Sequence, residues 1–233
     1  GHPESIRGFD QYGQLYADAR LWLREGWIDY WTPQLYWPIG QIPQSYPVLL
    51  GWWAGENVRH RHLWPGINVG RGRGARGAEE TVDQIMVTRG MLPDDPGTVH
   101  WSVGPLARSD TLATAILDGP YPPQALVPAS PWLDARPPAP PSVAAEWARA
   151  DLLIGWAHPD PGDVYLWVVY FRVDDVWSWR ILPRRERQAT LEAPVTEIAV
   201  SAVDRSGIES RPTFWRSPRT LTTARPGMSF PGP

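Results

Sequence analysis

The strongest constraint on the fold of this 233-residue chain is an alternation of helix-like and strand-like segments between residues 11 and 118. Helical periodicity covers 11–26, 45–54, 78–89 and 110–118. Strand-like runs, rich in aromatic and β-branched residues, cover 28–37, 63–69 and 98–103. Chains that alternate in this way form parallel strands joined by helices, so the first half is predicted to be α/β.

The spacing of these strands indicates which α/β architecture to expect. It is about 35 residues, close to the repeat of about 31 residues in an eight-stranded (β/α)8 barrel. Three strands cannot close such a barrel. Residues 1–135 are therefore predicted to be a partial barrel. In the 78–89 helix, Val82, Ile85, Met86 and Arg89 are predicted to lie on one side.

A proline-rich run separates this half from the second one. Residues 136–141 read Arg-Pro-Pro-Ala-Pro-Pro, which is typical of a stiff linker. Short strand-like segments separated by turns follow within 142–216 and predict an antiparallel β-sandwich. Residues 217–233 are predicted to be a loose tail. The predicted fold class is thus α/β plus β.

Composition excludes several classes of function. The net charge of -3 argues against nucleic acid as a partner, and no apolar run is long enough for a membrane span. The absence of Cys excludes disulfides and thiolate metal sites. His60 and His62 are two residues apart without a third ligand nearby, so neither a metal nor another cofactor is expected. Because residues 1–5 lack signal-peptide features and an initiator Met, we expect a processed chain or part of a longer one.

Tryptophan is unusually frequent, with 15 residues in the chain. Indole rings stack on flat apolar surfaces and also offer a polar N–H, which suits sugar rings. Packing in the core is the alternative for each of them. Trp177 and Trp179, with Trp167, form a candidate aromatic strip in the second half, for which core packing is the favoured interpretation and a sugar-binding face is the alternative.

The first half resembles a known enzyme family. The run Asp29-Tyr30-Trp31-Thr32-Pro33-Gln34-Leu35-Tyr36-Trp37, followed by Trp52-Trp53, is similar to a late barrel strand of the family-10-like glycosyl hydrolases. The run from Gly66 to Gly70 and the pair Gln84-Ile85 agree with it. The resemblance covers roughly residues 8–140. It implies that residues 1–135 are the last three βα units of a (β/α)8 barrel whose N-terminal half lies elsewhere.

The second half resembles a fibronectin type III module. Trp156 stands where such modules carry an early core Trp, and residues 199–210 are similar to their late strand and turn. The usual Tyr of that strand is replaced by Ile198 or Val200. The two resemblances together imply a bacterial hydrolase of the glycosidase type, active in carbohydrate metabolism and located in the cell envelope or secreted.

The strand ends suggest recognition of a polysaccharide. Gln34 and Tyr36 share a face by two-residue alternation, Trp37 follows at the rim, and Asn68 lies near the end of the next strand. Amide, phenol and indole groups suit hydroxyls and ring faces, so these four are the predicted substrate-binding residues. A purely structural use of the same side chains is the alternative.

Catalytic residues are not identifiable in the sequence. Glycoside cleavage usually requires two carboxylates, and in a barrel they lie at the C-terminal ends of strands. No Asp or Glu occupies the first positions after the three predicted strands. Asp29 lies at the wrong end of its strand and Glu56 beyond a helix, and Glu79 and Glu80 favour a helix N-terminus.

A glycine- and arginine-rich segment, residues 70–77, follows the second strand. It could hold an anion such as a carboxylated sugar, but a solvated loop is the favoured interpretation. Ser102 has no His and Asp partners at hydrolase spacing.

The sequence therefore predicts the C-terminal part of a glycoside hydrolase that acts on a polysaccharide, with a bacterial cell-wall glycan as one candidate. This part would form one wall of the substrate cleft and would lack the catalytic carboxylates. One alternative is a non-catalytic carbohydrate-binding or adhesive protein. Another is a scaffold whose aromatic residues serve packing alone.

Overall fold

The computed structural model describes residues 2–72, 74–94, 96–192 and 194–217. The chain forms two compact units, and the boundary between them falls between Gln124 and Ala125. The domain limits predicted from the sequence, with a linker at 136–141, stay a prediction. The predicted loose tail lies outside the described residues from 218 onward. Within the described ranges, no helix is both long and apolar enough to cross a membrane.

The helices of the first unit are α1 (Gln11–Leu15), α2 (Ala19–Glu25), α3 (Tyr46–Glu56), α4 (Gly74–Met91), α5 (Val103–Arg108) and α6 (Asp110–Asp118). The prediction of one helix over 11–26 is wrong. Tyr16 adopts a left-handed conformation (φ 56°) that ends α1. Asp18 then caps α2 by accepting a hydrogen bond from the Leu21 amide at 3.1 Å. Gly26, at φ 71°, ends α2 as predicted.

The strands of the first unit are short and pair in parallel. β1 (Tyr30–Trp31) pairs with β2 (His62–Leu63), and β3 (Gly66–Asn68) pairs with β4 (Val99–Trp101). A parallel bridge between Gln34 and Gly66 places the segment that follows β1 beside β3. Each predicted strand is therefore present, but it is shorter than the sequence pattern indicated.

Prolines explain why these strands are interrupted. Pro33 and Pro65 lack an N–H, yet their carbonyls accept hydrogen bonds from the Gly66 amide at 2.8 Å and the Val99 amide at 3.0 Å. The Leu35 amide donates to the Gly66 carbonyl at 2.9 Å. The prolines thus occupy positions where the neighbouring strand needs only an acceptor.

The core of the first unit lies between the strands and the helices. Leu23, Leu50, Ile67 and Ile85 are fully or almost fully buried in it, together with Tyr46. Burial of these side chains is the main force that stabilises the unit.

The buried face of α4 differs from the predicted one. Met86 is exposed, whereas Gln84 and Thr88 are buried beside Ile85. Thr88 shares a hydrogen bond of 2.7 Å with the Tyr46 hydroxyl, which makes burial of a polar side chain tolerable.

The second unit contains two antiparallel sheets. Its strands are β5 (Ser142–Ala148), β6 (Asp151–Ala157), β7 (Leu166–Val173), β8 (Val176–Pro183), β9 (Gln188–Leu191), β10 (Val195–Val203) and β11 (Thr213–Arg216). One sheet has the order β5-β6-β9 and the other β11-β10-β7-β8. β5 was not predicted, because the alternation within Ser142–Ala148 is masked by small residues.

The core of the second unit consists of residues from both sheets. Leu152 and Trp156 of β6 lie in one buried cluster with Trp167 of β7 and Ile198 of β10. The rings of Trp156 and Trp167 meet edge to face at 6.2 Å. The prediction of antiparallel β-structure is confirmed, so the chain combines helix and sheet as the fold class requires. Membership of the first unit in a (β/α)8 barrel stays a prediction.

Tyr46 provides a test of the core of the first unit. Burial raises the pKa of Tyr46 to about 12 from its usual 10.0, so the folded state holds the phenolic proton more tightly than the unfolded state does. The stability that Tyr46 contributes is therefore complete below pH 10 and is lost as the pH rises toward about 12. Tyr46→Phe should cost about 1 kcal/mol at neutral pH, through loss of the Thr88 hydrogen bond, and should weaken this alkaline dependence.

The measurement is urea unfolding at about pH 8 and about pH 11, with linear extrapolation. The matched control is Tyr12→Phe, because Tyr12 is exposed in the same unit. It should keep the alkaline dependence of the unsubstituted protein. An identical loss of stability at high pH in Tyr46→Phe and the unsubstituted protein would contradict the assignment.

Candidate functional site

The parallel strands of the first unit direct alternate side chains to opposite faces of the sheet. Leu35 and Ile67 are buried on the face that packs against the helices. Gln34 and Tyr36 flank Leu35, and Asn68 follows Ile67. These three predicted site residues therefore belong to the other face, as the two-residue alternation predicted for Gln34 and Tyr36.

That other face is aromatic and open. We call it the open sheet face, formed by Tyr30, Gln34, Tyr36, Asn68, Val99 and Trp101. Tyr30, Val99 and Trp101 expose 57%, 40% and 59% of their surfaces. Tyr30 stacks on Trp64 at 5.6 Å, and Tyr36 stacks on Trp101 at 6.4 Å. Exposed aromatic side chains in a continuous row are typical of a binding surface.

A cavity of about 440 Å³ lies at the C-terminal ends of these strands. Its lining includes Tyr36, Asn68, Arg71, Arg76, Glu80 and Gln84. Burial raises the pKa of Tyr36, so its hydroxyl stays protonated at neutral pH and can donate a hydrogen bond. The side-chain Oδ1 of Asn68 accepts a hydrogen bond from the Gly70 amide at 3.1 Å, and the side-chain NH₂ group adds two donors to the lining of the cavity.

The glycine- and arginine-rich segment forms one wall of this cavity. Arg71 donates from Nη1 to the Tyr36 carbonyl at 2.9 Å and from Nη2 to Gln41 Oε1 at 3.2 Å. Gly72 lies so close to Gly77 that a Cβ atom on Gly72 would come within 2.4 Å of the Gly77 Cα atom. Gly70, Arg71 and Gly72 are exposed, as the favoured interpretation of a solvated loop predicted, although Arg71 is tethered to the strand end, and residues from Gly74 onward already belong to α4. Arg73 lies outside the described residues.

The other two predicted residues line a second cavity, of about 400 Å³. Gln34 and Trp37 line it together with Trp31, Trp52 and Trp53. The structure thus divides the four predicted substrate-binding residues into two pairs, Tyr36 with Asn68 and Gln34 with Trp37. The Trp37 carbonyl accepts a hydrogen bond from Gln84 Nε2 at 2.9 Å, which links the rim to α4.

Two of the carboxylates considered in the sequence, Glu56 and Glu80, have structural partners. Glu56 is buried and forms ion pairs with Arg20 at 2.8 Å and Arg24 at 2.6 Å. Glu80 does more than favour the N-terminus of α4, because its Oε1 accepts a hydrogen bond from the Ile39 amide at 2.7 Å. These two acids therefore hold segments of the first unit together.

His62, one of the two histidines considered for a metal, is likewise part of the packing, whereas His60 is exposed. His62 is buried, and its ring stacks on Trp64 at 4.6 Å. In the part of the chain that the structure describes, no group of three or more His, Asp or Glu side chains is placed to hold a metal ion. Ser102 precedes α5, a helix that the sequence pattern did not predict.

Comparison with known proteins gives partial matches. No protein-family model matches the chain. Glycosyl hydrolase YngK of Bacillus subtilis is 39% identical over 148 residues, which cover 58% of this chain and 28% of YngK. Glycosyl hydrolase DigH of Escherichia coli K12 is 46% identical over 48 residues, which cover 21% of this chain and 11% of DigH. The chain is similar to proteins named glycosyl hydrolase, and it spans less than a third of their length.

Two solved structures show only weak overall similarity. An fn3 domain of human collagen α-1(XX) is 19% identical, with a TM-score of 0.30, over 35% of this chain and 84% of that domain. The Clostridium perfringens spore cortex lytic enzyme SleM is 12% identical, with a TM-score of 0.31, over 73% of this chain and 74% of SleM. At these TM-scores neither similarity bears on function.

Three features of the site were missed from the sequence. They are the Arg71 tether, the Gln84 hydrogen bond and the Tyr36–Trp101 stack. The position of Tyr36 and Trp101 near the ends of the first and third predicted strands was the one available signal for the stack. The hydrogen bonds of Arg71 and Gln84 join residues 30 or more positions apart, and no local pattern encodes such contacts.

Arg71 allows a test of how the wall of the cavity is held. Arg71→Ala removes both tethers to the strand end, so we expect the free energy of unfolding to fall by about 1 kcal/mol, with partial solvent screening of the exposed guanidinium. Arg76→Ala removes another exposed guanidinium from the same cavity and should change stability by less than about 0.5 kcal/mol. Urea unfolding followed by Trp fluorescence measures both. Equal effects of the two substitutions would show that Arg71 does not hold the wall.

Proposed function

We propose that the chain is the C-terminal part of a family-10-like glycosyl hydrolase that cleaves a polysaccharide of the bacterial cell wall. In this proposal the first unit supplies the last three βα units of a (β/α)8 barrel and forms one wall of the substrate cleft. The rest of the barrel lies in another part of the protein, which is secreted or located in the cell envelope. The second unit is a fibronectin type III-like module.

One observation carries the proposal. A chain similar to glycosyl hydrolase YngK has parallel strands whose open sheet face and strand ends carry Gln34, Tyr36, Asn68 and Trp101. Helices cover the opposite face, as they do on the outside of a barrel. The open sheet face would then be the interior of the barrel, and the cavity beside Tyr36 would open at its C-terminal end, where barrel enzymes bind substrate.

The residues of this chain would bind and orient the glycan. The Tyr36 hydroxyl and the Asn68 NH₂ group can hydrogen-bond sugar hydroxyls, and Trp101 offers a ring face. Cleavage by the usual route needs an acid and a nucleophile or base, separated by about 5–5.5 Å for retention or about 6.5–9.5 Å for inversion. Since Glu56 and Glu80 are engaged in structural contacts, the proposal assigns the catalytic carboxylates to the rest of the barrel.

The test uses the protein made from the complete reading frame and purified peptidoglycan as substrate, with release of reducing ends as the readout. Tyr36→Ala should lower kcat/KM about tenfold, equivalent to about 1.4 kcal/mol of transition-state stabilisation. Tyr165→Ala, which removes an exposed tyrosine of the second unit, is the control and should leave kcat/KM unchanged.

The same experiment separates the proposal from a non-catalytic carbohydrate-binding protein. Binding of peptidoglycan without release of reducing ends would contradict the hydrolase and support that alternative. Release that is indifferent to Tyr36→Ala would contradict the location of the cleft. The 233-residue chain by itself should release no reducing ends, since it is proposed to lack the acid pair.

A further inference from the structure

The four-stranded sheet of the second unit has an outer face, opposite the face that carries Trp167, on which Val168, Ala199 and Ser201 at the centre are buried and the aromatic residues of β8 and β11 are exposed. Trp167, Val169 and Phe171 of β7 point into the core of the unit. Tyr170 and Arg172 alternate with them and therefore point to the outer face. The residues paired with these two on β8 are Trp179 and Trp177, respectively. Directly opposite residues share a face, so both tryptophans lie on the outside of the sheet.

The same row continues across the sheet. Ala199 of β10 is paired with Tyr170, and Phe214 of β11 is paired with Ala199. The row from Phe214 to Trp179 thus crosses four strands, a distance of about 14 Å at the usual strand spacing. We call Phe214, Tyr170, Trp179 and Trp177 the aromatic strip. Trp177 and Trp179 expose 38% and 40% of their surfaces, and Phe214 is exposed as well.

The ring of Tyr170 is fixed in the strip. Its hydroxyl donates to Glu209 Oε1 at 2.8 Å. Burial and this carboxylate raise the pKa of Tyr170, so the phenol stays protonated. A small residue, Ala199, lies between Tyr170 and Phe214, so the middle of the strip carries no bulky side chain.

A row of paired charges runs beside the aromatic strip. Arg216 Nε lies 2.9 Å from Glu197 Oε1, and Arg172 Nη1 lies 3.6 Å from Glu197 Oε2. Arg172 also donates from Nη2 to Asp175 Oδ1 at 2.8 Å. Two guanidinium groups and two carboxylates therefore balance, and the row offers both donors and acceptors without a net charge.

We propose that the aromatic strip is a glycan-binding surface for a neutral polysaccharide. Sugar rings would stack on Trp177 and Trp179, and their hydroxyls would reach the charged row beside them. The surface belongs to the second unit, and the proposal does not depend on the proposed hydrolase activity. It corrects the sequence interpretation that favoured the core for Trp177 and Trp179, while Trp167 is a core residue as that interpretation held.

The chemistry of the surface favours a neutral glycan over other partners. The charged row is balanced and Glu209 adds a carboxylate beside Tyr170, so the surface offers an anionic polymer no excess of positive charge. Protein interfaces are depleted of charged residues at their centres, whereas here the ion pairs lie directly alongside the exposed rings. A ligand with flat apolar ring faces and hydroxyl edges can stack on the aromatic strip and hydrogen-bond to the row of paired charges at the same time.

The experiment measures retention of the full 233-residue chain on two insoluble neutral probes, microcrystalline cellulose and chitin, by sedimentation. On at least one probe, the double variant Trp177→Ala/Trp179→Ala should raise the apparent Kd about tenfold or more, since two stacking contacts are lost. The matched control is Trp27→Ala, which removes a tryptophan that is 66% exposed in the first unit. It should bind as the unsubstituted chain does.

A second double variant and a measurement in high salt distinguish loss of stacking from loss of folding and from binding by charge. The variant Trp177→Tyr/Trp179→Tyr retains ring faces and should keep most of the binding, so a general loss of folding cannot imitate the expected pattern. Binding to the probe should be unchanged in about 1 M salt, because a neutral ligand is not held by long-range charge.

The proposal is overturned if the chain binds neither probe, if the alanine double variant binds as tightly as the unsubstituted chain, or if salt abolishes binding. It is also overturned if the two tryptophans are needed for self-association of the chain instead of glycan retention. Retention on cellulose or chitin is measured apart from release of reducing ends from peptidoglycan, so the surface and the proposed hydrolase can fail independently.

Discussion

A helix that connects two parallel strands can cover only one face of the sheet that they form. In this chain, that constraint places Leu35 and Ile67 under the helices and leaves Tyr30, Tyr36 and Trp101 on the other face. The backbone supports the arrangement, since the carbonyls of Pro33 and Pro65 accept hydrogen bonds from the neighbouring strand. The open sheet face and the proposed cleft both follow from this single asymmetry.

In the second unit, which is built mainly from two sheets, the four-stranded sheet likewise contributes one face to the core and carries aromatic residues on the other. Its core takes Trp156 and Trp167, and the outer face of the four-stranded sheet keeps Trp177 and Trp179. The high tryptophan content thus serves two purposes, because some indoles fill the cores and others lie on exposed sheet faces. Burial explains the first group, and for the second group we propose sugar binding.

Local sequence patterns predicted most of the helices, the parallel strands and most of the antiparallel ones, because each depends on periodicity and nearby capping residues. Gly26, which ends α2, is an example of such a local signal. The break at Tyr16 and the polar buried face of α4 could not be predicted, since they depend on a left-handed residue without a glycine and on the distant Tyr46 hydroxyl. The Arg71 tether is likewise a long-range contact, so the segment carrying it resembled an ordinary solvated loop.

Hydroxyl-radical footprinting tests the central claim most directly, by comparing oxidation of Trp101 and Tyr30 in the 233-residue chain and in the protein from the complete reading frame. If further βα units cover the open sheet face, both residues should be oxidised several-fold more slowly in the complete protein. Trp177 and Trp179 serve as internal references and should react equally in both. Equal oxidation of Trp101 in the two proteins would contradict the account, because nothing would then cover that face.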